Sequence, residues 1–277
     1  MNAKQKKIAF MVLQYALLIL AALVIIYPIL YVIGISLMNS GEAASYPPHV
    51  IPHQMDLGNF KKAMDTAPLG HFMLNSLMVS LIVTFSQMVT ASLAAYAFAF
   101  LEFPYKNTLF IVFLSTMMIP GESTLIPNYL TMRSLGWINT YQGLTLPFMA
   151  TAFGTFLLRQ FFLTLPKELF DAARIDGCGK FRFLWSIVLP LARPALGTLG
   201  VYSFITTWNQ YLWPLLMTND TNMRTVQIGI GMLQFQDATA WNVVMAGVVI
   251  ILLPSLLVLI LGQKQLIKGL TSGAVKG

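Results

Sequence analysis

The run from Ile8 to Met38 contains no charged side chain. A helix that crosses a bilayer needs about 20 consecutive mostly apolar residues, and this stretch is longer. One segment therefore already restricts the chain to a fold with lipid as part of its solvent. The rest of the sequence agrees. Of 277 residues 57% are hydrophobic and 10% charged, against about 25% charged in ordinary soluble domains, and the mean hydropathy is +0.71.

Six spans are expected, at about 8–38, 72–101, 108–130, 141–162, 191–211 and 241–262. The first and last are uninterrupted by charge; the third to fifth contain Pro, Gly or amide side chains. The N-terminal "MNAKQKK" followed by an apolar run imitates a secretory signal. The run is too long for one and ends in no small-residue cleavage site, so it reads as a retained span. Cytoplasmic loops carry excess Lys and Arg. With the N-terminus inside, 13 of the 17 basic residues fall on cytoplasmic segments, and Lys61, Lys62, Arg133 and Arg224 fall outside. Six spans put both termini on one side, and both termini are basic. The net charge of +7 thus reads as membrane topology, and nucleic acid is not expected as a partner.

No linker or repeat divides the chain, so one domain over 1–277 is expected. In the long outer loop, "YPPHVIPHQ" reads as extended and "LGNFKKAM" as a short surface helix. His49, His53 and His71 lack zinc spacing. Cys178 is the only cysteine, so no intrachain disulfide can form.

The segment 163–190 breaks the apolar pattern with Glu168, Asp171, Arg174, Asp176, Lys180 and Arg182. Thr164 is placed to cap a helix whose first turn holds Pro166. "KELFDAARID" has good helix formers, and Gly177 suits a left-handed stop. A second short helix over about Lys180–Val188 follows Gly179 and leads to Pro190. Leu169, Ala172, Ala173 and Asp176 are expected on one face, with two alanines that let another backbone approach. A helix lying on lipid favours basic residues on its polar face; three carboxylates here argue for a protein partner instead.

At these residues the chain resembles a known family. "DAARIDGCGKFRFLWSIVLP" is similar to the signature loop of permease subunits of ATP-binding-cassette (ABC) importers: EAA, three residues, G, nine residues, I-x-LP. Asp171-Ala172-Ala173, Gly177, Ile187 and Leu189-Pro190 fall at those spacings, with Asp in place of Glu at 171. "YAFAFLEFPYKN", "MMIPGESTLIPNYL" and "GLTLPFMATAFGTFLLRQFFLTLPKEL" resemble carbohydrate-uptake permeases. "IKGLTSGAVKG" resembles the tail of the maltose-importer permease of similar size, and "WNQYLWPLL" the smaller permease of sn-glycerol-3-phosphate importers.

The resemblance implies an all-α integral membrane protein with six transmembrane helices, a type I ABC importer permease fold with a cytoplasmic coupling-helix loop. It implies a second, unlike permease subunit, two ATPase subunits that bind ATP and Mg, and an extracytoplasmic substrate-binding protein. Glu168, Asp171, Ala172, Ala173, Arg174, Gly177, Ile187, Leu189 and Pro190 would couple to the ATPase. Gly269, Leu270, Thr271, Gly273 and Lys276 would lie on it as a tail.

The chain itself shows no catalytic set. "GCGK" fails as a phosphate loop, because Arg174 stands five residues before Gly179 and Phe181 follows Lys180. No metal site or cofactor is expected. Polar side chains within spans point to a path or to interhelical contacts. Asn75, Ser80, Gln87, Glu122, Trp208, Asn209, Gln210 and Tyr211 are the candidates, and Ser76, Ser80, Thr84 and Gln87 form one helical stripe. Glu122, flanked by Pro120 and Pro127, would repel a phosphate-bearing solute and so is expected to pair with a cation or shape a gate. The competing readings are a self-sufficient secondary transporter and a membrane scaffold or insertase without a solute. Neither accounts for the signature loop.

Overall fold

The computed structural model describes residues 3–47, 49–236 and 240–271, and all regular structure among them is helical. In chain order the helices are α1 (Ala3–Ser36), α2 (Ser40–Ala43), α3 (Gly58–Thr66), α4 (Leu69–Phe100), α5 (Lys106–Ser115) and α6 (Gly121–Ser134). Then come α7 (Tyr141–Thr145), α8 (Ala152–Phe162), α9 (Lys167–Ile175), α10 (Lys180–Phe183), α11 (Leu189–Leu191) and α12 (Arg193–Trp208). The last three are α13 (Leu212–Met217), α14 (Val226–Gln236) and α15 (Trp241–Thr271).

Among the described residues, three helices are long and apolar enough to cross a membrane, at 7–36, 69–100 and 241–265. Two further candidates are bent pairs: 106–118 with 121–134 at 95°, and 180–191 with 193–208 at 80°. The sharp bends fall at Pro120 and beside Pro194, where the missing N–H and fixed φ interrupt the helix. By length and composition this gives three spans, or up to five if each bent pair crosses once. The expected count of six is therefore not reproduced by unbroken helices. The stretch 141–162 is divided into α7, a 3-10 turn at Leu146–Phe148, and α8.

The chain forms two compact units, one of Met1–Leu69 with Gly229–Leu253 and one of Gly70–Ile228 with Pro254–Gly277. In the first, Leu13, Leu18, Leu20 and Ile25 of α1 are exposed, as suits a helix solvated by acyl chains. Below α1 a buried amide pair holds the chain together. Asn59 donates to the carbonyls of Ser36, Met38 and Asp56 and accepts from Asn242. On the same unit, the main-chain N–H of His53 donates to Glu42 Oε1 at 2.7 Å, and His53 Nδ1 lies 2.7 Å from the same oxygen. These contacts hold the Glu42 carboxyl below its ordinary value near 4.5, with the main-chain bond as the largest cause.

In the second unit, Ser76 and Gln87 of the α4 stripe, with Asn75 and Thr90 beside it, tie other segments to α4, while the Ser80 and Thr84 hydroxyls have no hydrogen-bond partner among the described residues. Asn75 donates to the carbonyls of Asn222 and Arg224 and accepts from the Tyr141 hydroxyl. Ser76 accepts from the N–H of Val226. Gln87 donates to Phe148 O at 2.8 Å, and Thr90 to Met149 O at 3.0 Å. Those carbonyls lie where α7 gives way to α8. Backbone groups freed where a helix is interrupted need partners elsewhere, and α4 supplies them. The same unit brings α12 and α15 close. A Cβ on Gly262 would collide with Val201, and one on Gly197 would stand 2.7 Å from Gln265 Cγ. Small residues let helix backbones approach in this way, and Thr198 donates to Gln265 O across the contact.

Candidate functional site

The loop 163–190 folds as a helix, a glycine stop and a second helix. α9 begins after Pro166, which stands at the N-cap without a side-chain bond. Thr164 does not cap it, contrary to expectation: its hydroxyl donates back to Phe161 O at 2.7 Å. Pro166 already fixes φ for the turn, so the hydroxyl is not needed there.

The stop is a Schellman motif. Cys178 N–H donates to Ala173 O at 2.8 Å and Gly177 N–H to Arg174 O at 3.1 Å, with Gly177 at φ 70°. Ala173 and Cys178 then pack into one apolar cluster, the contact that commonly accompanies this motif. The second helix runs on past the expected Val188. Its middle, Leu184–Val188, is a π-turn in which Leu189 N–H donates to Leu184 O. The Pro190 ring would clash with the carbonyl four residues back, and the wider turn relieves that clash.

An aromatic core fastens the loop to the bundle. Phe170 of α9 stacks on Phe100 of α4, with centroids 5.9 Å apart, and meets Phe183 of α10 edge-on at 5.2 Å. Phe100 and Phe183 meet at 5.5 Å. Each such pair contributes about 0.5–1.5 kcal/mol beyond area burial. Phe170 and Ala173 thus face inward.

The expected face is divided: Ala173 is buried and Ala172 is exposed. The open face carries Glu168, Asp171, Ala172 and Ile175, which follow the i, i+3, i+4, i+7 pattern. Ile175 is 85% exposed and was not anticipated; its place between the charged residues Arg174 and Asp176 hid it. Arg174 and Pro190 are exposed, and Ile187 and Leu189 pack against the apolar cluster. Of the expected tail, the backbone of Gly269, Leu270 and Thr271 ends α15. Gly273 and Lys276 lie outside the described residues.

The N–H groups of Gly177 and Cys178 are engaged in the Schellman bonds. Among the described residues, no group of three or more His, Cys, Asp or Glu could hold a metal ion.

The path candidates divide into two kinds. Asn75 and Gln87 have their polar atoms tied as described, Gln87 also accepting from Ser203 at 2.6 Å. Trp208 is buried and stacks on Phe204 at 5.7 Å. Ser80 is buried and its hydroxyl has no hydrogen-bond partner. Asn209 is exposed and bonds to Ile205 O and Gln227. Glu122, Gln210 and Tyr211 come together, although some ninety residues separate them in sequence. With Asn128, Phe148 and Trp213 they line a cavity of about 320 Å³. Phe148 and Trp213 meet edge-on at 5.7 Å, and Trp213 Nε1 donates to Gly143 O at 3.2 Å. Among the described residues, no Lys or Arg lines this cavity.

Long apolar helices, interrupted helices stitched by side chains, and a rigid charged helix pair on an aromatic mount define a membrane transport component. The chain belongs to the family of binding-protein-dependent transport system inner membrane components, which it matches over residues 4–271. It is 40% identical over 268 residues to the sn-glycerol-3-phosphate transport system permease protein UgpE of Agrobacterium fabrum, covering 94% of this chain and 95% of that one. It is 39% identical to the protein of the same description from Rhizobium meliloti, covering 92% and 94%. Its fold matches a chain of a bacterial ABC transporter involved in import of the acidic polysaccharide alginate, with a TM-score of 0.83 at 23% identity over 95% and 98% of the two chains. A second match, with a TM-score of 0.61 at 14% identity over 93% and 94%, is to the alginate ABC transporter in complex with an alginate pentasaccharide-bound periplasmic protein. The family places this chain in an ABC importer as its permease, and the secondary-transporter reading is set aside.

Proposed function

We propose that this permease serves an importer of sn-glycerol-3-phosphate or a related sugar or oligosaccharide. It pairs with a second, unlike permease subunit, sits on two ATPase subunits that carry ATP and Mg, and receives solute from an extracytoplasmic binding protein. The whole chain, 1–277, acts as one transmembrane domain with both termini and the loop 163–190 in the cytoplasm. The distribution of Lys and Arg supports that orientation. The substrate class is supported by the descriptions of relatives at 37–40% identity.

One observation carries the mechanism: α9 presents Glu168, Asp171, Ala172 and Ile175 outward while Phe170 clamps it to α4 and α10. A helix mounted this way transmits displacement instead of absorbing it. ATP shifts the transporter only through its differential affinity for two states. When the ATPases close, a helix seated in them moves, and the spans rock between inward-open and outward-open arrangements. Asp171 is the carboxylate partner for a basic residue of the ATPase. Gly269, Leu270, Thr271, Gly273 and Lys276 extend the contact.

The cavity at Glu122, Gln210 and Tyr211 is the part of this chain proposed to meet solute. Its chemistry favours hydroxyl groups: amides and a tyrosine donate and accept, and aromatic rings stack. Among the described residues no Lys or Arg lines this cavity beside Glu122, and its carboxylate repels phosphate, so phosphate recognition falls to the binding protein or the partner permease. Copurification with an ATPase, and loss of uptake when ATP is withheld, test the assembly. Assays of the cognate binding protein against glycerol-3-phosphate, glycerophosphodiesters and oligosaccharides test the substrate. Uptake sustained by an ion gradient without ATP refutes the proposal.

A further inference from the structure

The end of α4 collects more positive charge than its own carbonyls require. Arg159 of α8 donates from Nε to Phe98 O at 3.2 Å, with its guanidinium 4.1 Å from the Phe110 ring centroid. Lys106 of α5 donates from Nζ to Leu101 O at 2.8 Å and Ala99 O at 3.5 Å. Its side chain is only 15% exposed. A helix C-terminus carries roughly half a negative charge, and two full cations face it. Among the described residues, the one carboxylate lining the cavity between them, Glu102, is 92% exposed and stands 3.6 Å from Lys106. A net positive charge is left over.

That charge lines a cavity of about 520 Å³. Asn107 and Thr108, also lining it, lie in the first turn of α5. The N-cap of that helix, Tyr105 at φ 60°, makes no side-chain capping bond. Two cations, polar side chains and the positive end of a ten-residue helix therefore meet in one concave space. All three favour an oxyanion. On α5 itself, Leu109 and Val112 are exposed, which offers acyl chains an apolar surface next to the charged one.

We propose that this cavity binds a phosphate group, the headgroup of an anionic phospholipid, with Glu102 turning away as the weakest of Lys106's three contacts. Basic pockets between membrane helices recognise lipid headgroups by this chemistry. Bound there, the lipid braces α4, α5 and α8 just before the chain enters the loop 163–190. Assigning it to the inner leaflet rests on the orientation proposed above. Detergent micelles have no sides, so the binding test succeeds or fails independently of that orientation.

The test uses the complete importer in detergent, with melting temperature read against added phosphatidylglycerol, phosphatidylcholine or inorganic phosphate. Phosphatidylglycerol is expected to raise the melting temperature beyond phosphatidylcholine in a saturable way. Lys106→Gln is expected to weaken the apparent affinity about tenfold, or ~1.4 kcal/mol. Because Lys106 also caps α4, Asn107→Asp is the second variant: it adds negative charge to the cavity and leaves the caps in place, and it too should weaken the apparent affinity at least about tenfold. An equal shift from inorganic phosphate alone, lost in the same variants, supports the site with free phosphate as its source. Equal shifts from the two lipids in the wild-type protein, or an undiminished phosphatidylglycerol shift in Asn107→Asp, overturn the proposal.

Discussion

Asn242 donates from Nδ2 to Asn59 Oδ1 at 2.8 Å, and both side chains are buried. Asn59 in turn donates to Met38 O at 2.7 Å and Ser36 O at 3.0 Å. The end of α1, α3 and the start of α15 thus share one amide pair. Asn59→Leu removes the donor from these carbonyls and is expected to cost about 1–3 kcal/mol, the desolvation penalty of an unsatisfied buried group. Asn242→Ala should cost less, because Asn59 then keeps its bonds to main-chain carbonyls. Thermal unfolding of the two variants checks the order.

Gly177 holds φ 70° with open space where a Cβ would stand. A substitution there is strained by conformation alone. Gly177→Val is expected to cost about 1–2 kcal/mol and to stop uptake while the protein still inserts. Gly177→Asn, which tolerates the left-handed region, should retain most transport. Equal loss in both variants would point to crowding by a docked partner instead of the Schellman stop.

Cys178 is the only cysteine, so Cys178→Ser gives a clean background for crosslinking. In it, Ala172→Cys and Ile175→Cys should crosslink to the ATPase, whereas buried Ala173→Cys should not. Asp171→Lys is expected to abolish uptake with normal insertion. A strong Ala173 crosslink would show that α9 detaches from its aromatic mount.

Phe170→Ala leaves the outward face of α9 intact and removes two ring pairs, with Phe100 and Phe183. At about 0.5–1.5 kcal/mol each, the mount should weaken by about 1–3 kcal/mol. ATP hydrolysis should continue while uptake falls, because the helix moves without carrying the bundle. Phe170→Leu should restore part of the uptake.

Glu42 is held below its ordinary value near 4.5 by the two His53 contacts. A carboxyl with a lowered folded value stabilises the fold above its unfolded value, and that contribution is lost as pH falls through the folded one. The melting-temperature gap between wild type and Glu42→Gln should therefore be constant from pH 7 to 5 and close below about 4.5. A gap that persists unchanged to pH 3 would show that packing, not charge, fixes Glu42.

Much of this was legible in the residues. Apolar length marked α1, α4 and α15, and Gly177 with its neighbours marked the helix, stop and helix of the loop. The face of α9 was only half readable. Periodicity groups Ala172 with Ala173, but it does not reveal which side Phe100 and Phe183 will occupy. The α4 stripe was visible as a stripe, yet its purpose depends on where other helices break. Phe148 O and Met149 O need donors only because α7 and α8 are separate, and no local pattern in α4 encodes that. The cavity at Glu122 joins α6 to the stretch before α13, a contact distant in sequence and absent from any motif.

The bridge from Gln87 and Thr90 to the carbonyls of Phe148 and Met149 makes that break a pinned joint. Sliding the interruption by one residue would break both hydrogen bonds, at about 0.5–1.5 kcal/mol each. The interruption is thereby held in register with α4 and is not free to migrate along the chain.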